Sequence, residues 1–300
     1  MEGKMEIRLF QYVIEIYKMK SFTKAAVNLH IAQPSLSKQI SKLEDELGIL
    51  LFNRYSTGIE ITEKGKLFVV RAQAILRMHD NLQKELEDSK NIKENSITIG
   101  VTPITGGHVL PPLLKQFMHQ YQTVKVKFLE DSSENILKLL VNAKVDFALL
   151  SLPIKDERLK YEPFLTEALY LAVPKNSPNW LPPLSNRLTD YENCPFILLK
   201  SGFDFRSKVL SLCANHQFQP AVAYETSSIE TAQALVLNGL GVTIVPEMVI
   251  KHDNPSTIRY IKLEHATRTL VFAHVKNFYL SQASKNFINM AKSTEVSTFN

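Results

Sequence analysis

Gln33, Ser37, Lys38, Ser41 and Lys42 fall at spacings that place them on one face of a helix. All are hydrogen-bond donors or cations. From Ile16 to Leu43 the chain has no Asp or Glu but five lysines, and the acids return at Glu44, Asp45 and Glu46. Amide and ammonium groups on a helix reach base edges in the DNA major groove, and serines reach phosphates. A surface free of acids approaches a polyanion without repulsion. By residue type alone, the face suits equally the solvated side of a small helical bundle.

A second set of residues follows apolar runs. Thr102, Pro103 and Thr105 come after 97–101, Ser132 and Ser133 after 124–130, and Ser151 after 146–150. Ser201 and Gly202 come after 195–199, and Thr226, Ser227 and Ser228 after 221–225. Hydroxyls beside helix starts, where N–H groups are free, suit a small anion. Arg206 is the nearest cation to one of these loops. The same hydroxyls also suit plain helix caps, and Arg206 also suits a pair with an acid such as Asp204. His108 reads as a helix-surface histidine more than as a ligand contact. No G-x-S-x-G and no Walker loop occurs. The segment NGLGVT lacks the third glycine of a dinucleotide fingerprint and follows a helix pattern. The eight histidines show no metal-ligand spacing. The expectation is a binding protein with no catalytic residues, no metal and no cofactor.

The elements that must position these groups are legible in the periodicity. Phe10, Val13, Ile14 and Tyr17 mark a first helix. Ser21 is placed to cap a second, with Phe22, Ala25, Ala26 and Leu29 inward. A third carries Pro34 in its first turn, buries Leu36, Ile40, Leu43 and Leu47, and stops at Gly48. Two short helices joined tightly, the second bearing donors and cations, form a helix-turn-helix. The stretch LFNRYSTGIEITEKG adds a hairpin wing with Arg54 at its base and a turn at Ser56-Thr57-Gly58. From Thr62 a long helix carries Phe68, Ala72, Ile75, His79, Leu82 and Leu86 at alternating steps of four and three, the seam of a partner helix. The polar DSKNIKEN (88–95) reads as a hinge. Beyond it, strand and helix patterns alternate in two sets, which predicts two parallel α/β lobes with ligands beyond the carboxyl ends of their strands.

Size and composition agree. Three hundred residues allow two or three domains, and 45% hydrophobic with 22% charged residues is ordinary for a globular protein. The net charge of +5 is mild, so its distribution carries the information. MEGKMEIRLF does not read as a secretory signal, and no apolar run approaches a membrane span. Cys194 and Cys213 read as two buried thiols, and the chain as cytoplasmic with no membrane partner.

The order FTKAAVNLHIAQPSLSKQISKLEDELGILLFNR…ITEKG resembles the LysR-type transcriptional regulators almost without gaps over residues 5–66. ETSSIETAQALVLNGLGVTIVPE (225–247) is similar to the family more loosely. The resemblance implies a winged helix-turn-helix DNA-binding domain at 1–61, a dimerising linker helix at 62–90, and a periplasmic-binding-protein-like effector domain at 91–300. In that domain, lobe one covers about 96–163 and 269–300, and lobe two about 164–268. It implies Gln33, Pro34, Ser37 and Lys38 on bases and Lys42 and Arg54 on phosphates of double-stranded operator DNA. It further implies a homo-oligomer, a dimer or a tetramer built as a dimer of dimers, that most often activates. One departure is Ala32, where many members carry a Ser or Thr cap. The effector is expected to be a small anion, a carboxylate, held by Thr102, Pro103, Ser132, Ser151, Ser201, Gly202, Arg206 and Thr226. Two rival readings are a solute receptor of a transport system and a metabolic enzyme; the helix-turn-helix and the missing catalytic constellation oppose them.

Overall fold

The computed structural model describes residues 5–55, 58–88, 96–176, 178–179, 181–250 and 258–294. Ser56 and Thr57 of the wing turn, and the hinge segment from residue 89 to 95, lie outside the described residues. The chain divides into two compact units, Met1–Glu87 and Asp88–Asn300.

The first unit begins with α1 (Ile7–Met19), α2 (Phe22–Asn28) and α3 (Gln33–Leu47). The Ser21 hydroxyl accepts the Lys24 N–H at 3.3 Å and starts α2. Ala25 and Ala26 are buried, so neighbouring helices cross closely over them. Ala32 precedes α3 with no side-chain cap, and Pro34 lies in the first turn. Gly48 ends α3 at φ +65°, a left-handed conformation that favours glycine. The wing pairs β1 (Phe52–Tyr55) with β2 (Gly58–Ile61), Phe52 opposite Ile61. Then α4 (Glu63–Asp88) starts under a cap: Thr62 Oγ1 accepts the Gly65 N–H at 2.9 Å and donates to Leu50 O at 2.8 Å. Its first turns lie on the domain core, where a Cβ on Gly65 would stand 2.2 Å from Leu51 O.

The second unit runs β3 (Ser96–Val101), α5 (Pro103–His108), α6 (Leu110–Gln120), β4 (Lys125–Glu130), α7 (Ser133–Val141), β5 (Phe147–Ser151) and β6 (Leu159–Pro174). Two helices, α5 and α6, thus lie between β3 and β4. Pro111 and Pro112 lack N–H groups and clash with preceding carbonyls, so they sit only where a new helix begins. Lobe two follows with β7 (Pro195–Leu199), α8 (Asp204–Asn215), β8 (Ala221–Thr226), α9 (Ile229–Leu237), β9 (Thr243–Pro246) and α10 (Glu247–Ile250). The chain returns through β10 (Ile258–Val275) to α11 (Gln282–Ser293).

β3 pairs parallel with β4 and β5, and β7 pairs parallel with β8, as the alternating pattern requires. Two long antiparallel strands, β6 and β10, join the lobes. β10 pairs β5 through Leu270–Ala273, and β6 pairs β9 through Leu169–Ala172. Lobe one is packed on both faces. α11 presses Phe287 among Phe117, Phe147 and Phe272 on one side, and α7 presses Ile136 and Leu140 onto Ala148, Leu150 and Val271 on the other.

Where the strands pass between lobes, Glu167 stands opposite Arg268. The pair is buried, with side chains 5% and 2% exposed, and Arg268 Nη2 and Nε donate to Glu167 Oε1 at 2.6 and 2.9 Å. Glu167 Oε2 accepts the Met248 N–H at 3.0 Å, and the guanidinium lies 5.4 Å from the Phe205 ring centre. Such added contacts are what a buried ion pair needs to offset desolvation.

Two outcomes follow for thermal unfolding. Gly65→Ala lowers the stability of the N-terminal unit by about 1–3 kcal/mol, because backbone must move to admit the methyl. Glu167→Ala costs about 3–5 kcal/mol in the C-terminal unit by stranding the Arg268 charge, and the double replacement Glu167→Leu/Arg268→Met recovers most of that loss.

Candidate functional site

On α3, Leu36, Ile40 and Leu43 are fully buried, which turns Gln33, Pro34, Lys38 and Lys42 outward to full exposure and leaves Ser37 half-buried. Lys42 pairs with Glu46, one turn on, at 3.7 Å. Arg54, on the wing, donates from Nη1 to Ser37 Oγ at 2.8 Å and from Nη2 to Ser41 Oγ at 3.2 Å. Its guanidinium also stands 3.5 Å from Glu44 Oε2 and 4.6 Å from the Phe22 ring centre. Glu44 is 5% exposed and accepts the N–H groups of Leu51 and Phe52 at 2.7 and 3.1 Å. Arg54 thus braces the wing against the outward helix, and Glu44 fixes both. Sequence reasoning missed Glu44. Its signal was there: it sits four residues from Ile40, on the inward face.

α4 divides the residues of its expected seam. Ala72 is buried against the unit's own core, and Phe68 packs there with its ring 5.8 Å from that of Phe10. His79 is half-buried, its Nδ1 3.5 Å from Asp80 Oδ1. Ile75, Leu82 and Leu86 are exposed, at 43%, 54% and 54%. So are Leu67, Val70 and Met78, at 60%, 59% and 66%. The outward apolar stripe therefore keeps Ile75, Leu82 and Leu86 of the expected seam and adds Leu67, Val70 and Met78 beside them.

In the C-terminal unit, Thr102 and Ser151 are buried at the ends of β3 and β5, and Ser132 caps α7 by accepting the Asn135 N–H at 3.4 Å. Thr102 does not cap α5 with its side chain; its hydroxyl lies 3.1 Å from that of Thr105, beside half-buried Pro103. Ser201 is exposed and Gly202 sits at φ +91°, with Phe203 as the N-cap residue of α8. Lobe two meets lobe one here through Asp204. Its carboxylate accepts from Ser133 Oγ at 2.5 Å and from the Ser151 N–H at 3.2 Å. Arg206 is held within lobe two, donating to Leu199 O at 2.6 Å and to Glu225 Oε1 at 2.5 Å. Thr226 Oγ1 accepts the Ser228 N–H at 3.2 Å. The structure thus brings Ser151, with Ser133, onto Asp204 and Ser132 beside Gly202, while Arg206 pairs with Glu225 and not with Asp204.

His108 corrects the expectation of a helix-surface residue. Its side chain is 13% exposed, and Nε2 lies 3.6 Å from Glu230 Oε1 on α9, across the lobes. Burial alone would raise the Glu230 carboxyl; the Ser228 hydroxyl at 2.5 Å and His108 outweigh it and hold it below its ordinary value. Cys194 and Cys213 are buried thiols, each pushed up to about 11 by burial.

The geometry has counterparts among known proteins. Residues 7–66 match the family described as bacterial regulatory helix-turn-helix protein, lysR family, and residues 91–295 match the LysR substrate binding domain. The HTH-type transcriptional regulator YcgK of Bacillus subtilis is 43% identical over 98% of this chain and 96% of its own. The transcriptional dual regulator GltC of the same organism is 27% identical over 94% and 95%. Among solved structures, full-length OxyR of Pseudomonas aeruginosa has a TM-score of 0.72 at 25% identity, covering 98% of this chain and 97% of that one. Full-length CbnR bound to its target DNA shares the fold, with a TM-score of 0.66 at 20% identity, over 96% and 99%. With both of its domains matched and a relative this similar along nearly its whole length, the chain belongs to the LysR family of DNA-binding transcriptional regulators.

Proposed function

We propose that the chain reads a two-part operator with the α3 helices of paired copies and answers a small carboxylate held between its lobes. The observation that carries the reading is α3 itself, an exposed face of donors and cations braced by Arg54 to a wing. In this reading Gln33, Pro34, Ser37 and Lys38 meet base edges, and Lys42 and Arg54 meet phosphates. The outward stripe of α4 pairs with that of a second copy, because an apolar row this long on a solvent face is stabilised by burial. A tetramer then forms as a dimer of dimers, working in the cytoplasm and most often activating.

The effector reading rests on the strand ends. In this reading Thr102, Pro103, Ser132 and Ser151 from lobe one, and Ser201, Gly202, Arg206 and Thr226 from lobe two, would border the effector. The start of α7 and the end of β5 already hold one carboxylate, that of Asp204, so these donors have the geometry a carboxylate needs. Relatives from Dickeya chrysanthemi and Pectobacterium carotovorum are named as activators of hydrogen peroxide-inducible genes, but a peroxide response through cysteine is not the reading favoured for this chain. Both thiols here are buried and raised to about 11, which leaves about one thiolate in ten thousand near neutral pH.

Lys38→Ala weakens specific DNA binding by about 1–3 kcal/mol and relaxes base preference at one position per half-site. Lys42→Ala weakens all sequences about equally. Binding to operator and scrambled duplex at fixed salt separates them, and a common factor for both duplexes with Lys38→Ala removes its base-reading role.

Met78→Asp and Ile75→Asp lower association and cooperative binding to two half-sites while the N-terminal unit melts as before. Ala72→Asp instead lowers that melting temperature, because a carboxylate enters the unit's own core. Sedimentation beside thermal unfolding reads the difference; Met78→Asp with unchanged association rules out the stripe. For the effector, a metabolite at about 100 times its dissociation constant stabilises the chain by about 2.7 kcal/mol. A metabolite screen by thermal shift on the full chain tests this, and carboxylates that give no shift while other classes do would exclude the anion reading.

A further inference from the structure

The contact between lobes is organised around Asp204. This residue opens α8 on lobe two, yet lobe one binds its side chain. Oδ1 accepts from Ser133 Oγ at 2.5 Å, and Oδ2 accepts the Ser151 N–H at 3.2 Å. Ser133 Oγ in turn accepts the Asp204 N–H at 3.0 Å, so the two residues bond reciprocally. One residue after Ser133 and two before Asp204, the backbone follows: the Glu134 N–H donates to Gly202 O at 3.1 Å. Gly202 takes φ +91°, a backbone conformation that favours glycine, and its Cα side lies in ordinary contact with lobe one: a Cβ there would be 3.5 Å from Glu134 Oε2 and 3.7 Å from Ser132 Oγ. Ser133 and Ser151 are 5% and 8% exposed, so their donors face protein and not bulk water.

We propose that Asp204 is a tethered carboxylate ligand: it occupies the anion-accepting end of lobe one, clasps the lobes without effector, and must be displaced by an effector's carboxylate. This rests on the reading that the effector binds between the lobes. Besides the Phe205 N–H of its own helix, which Oδ1 accepts at 2.8 Å, the lobe-one donors it uses, a hydroxyl at the start of a nine-residue helix and the N–H at a strand end, are ones a small carboxylate would use. A side chain fixed on the same molecule competes at high effective concentration, which lowers the apparent affinity of a free carboxylate. Only an effector with further contacts, from the Thr102 or Thr226 side, overcomes that competition, so Asp204 raises selectivity against simple carboxylates. Its release also frees the Gly202–Glu134 contact, which couples effector binding to lobe separation. A plain structural strut would share the contacts but not this chemistry.

The test is chemical rescue in the full chain with formate as the probe. Asp204→Ala and Asp204→Ser are both made, so that one folded variant suffices, and each leaves room for a formate. Loss of the clasp speeds hydrogen exchange at the Ser151 and Glu134 amides by about tenfold or more. Sodium formate restores that protection and raises the melting temperature saturably in these variants, beyond the effect of sodium chloride at equal ionic strength. Wild type shows no formate-specific shift, and Ser133→Ala added to either variant abolishes the rescue. A formate response equal to that of chloride, or equal in wild type and variants, overturns the proposal, as does unchanged exchange at Ser151. The rescue uses no metabolite, so its failure removes the clasp and leaves the effector reading to the metabolite screen.

Discussion

Both lobes of the C-terminal unit hang on two antiparallel strands, and those strands are fixed to each other where they cross between lobes by the buried Glu167–Arg268 pair. A charge pair removed from water holds only when its geometry and its further hydrogen bonds are complete. Here Met248 N–H and the Phe205 ring complete it. Met248 belongs to α10 and Phe205 to the first turn of α8, so the pair also sets where α8 begins. Asp204 is the residue before Phe205. The register of β6 on β10 thereby determines which side chain of lobe two arrives at the strand ends of lobe one.

The N-terminal unit uses an ion pair for a different end. Glu44 takes the N–H groups of Leu51 and Phe52, and Arg54 lies between that acid and the serines of α3. The wing is then positioned by the same helix that faces outward for DNA. A carboxylate on a DNA-binding helix would repel phosphate if it were exposed; buried and paired, it presents no negative charge to the groove.

Much of the architecture follows from local pattern. The 4, 3, 4 spacing of Leu36, Ile40, Leu43 and Leu47 orients α3 without any tertiary knowledge, since a helix with one apolar face has one way to bury it. The Ser21 and Thr62 caps, the Gly48 stop and the alternation of strand and helix in two sets are of the same kind. The conclusion that the chain binds DNA is of another kind: donor and cation types on the face left over suit solvent equally, and the likeness of residues 7–66 to the lysR helix-turn-helix family decides it.

What the sequence by itself determined was each element's type and the face it turns inward. What the tertiary structure decided was which polar group met which. Arg206 and Asp204 stand two residues apart and invite pairing, yet one reaches Glu225 and the other Ser133, 71 positions away. The apolar row of α4 was legible, but not that Phe68 and Ala72 cover their own core while Ile75, Leu82 and Leu86 stay outward, because the interval is the same whether a residue faces a partner or its own domain. His108 likewise looked like a surface residue until α9 brought Glu230 to it. Periodicity encodes the direction of burial because the hydrophobic effect is non-directional and sums over many residues. Hydrogen bonds and ion pairs are short and directional, so their partners are set only once strand register and lobe closure have fixed positions to within a few tenths of an ångström.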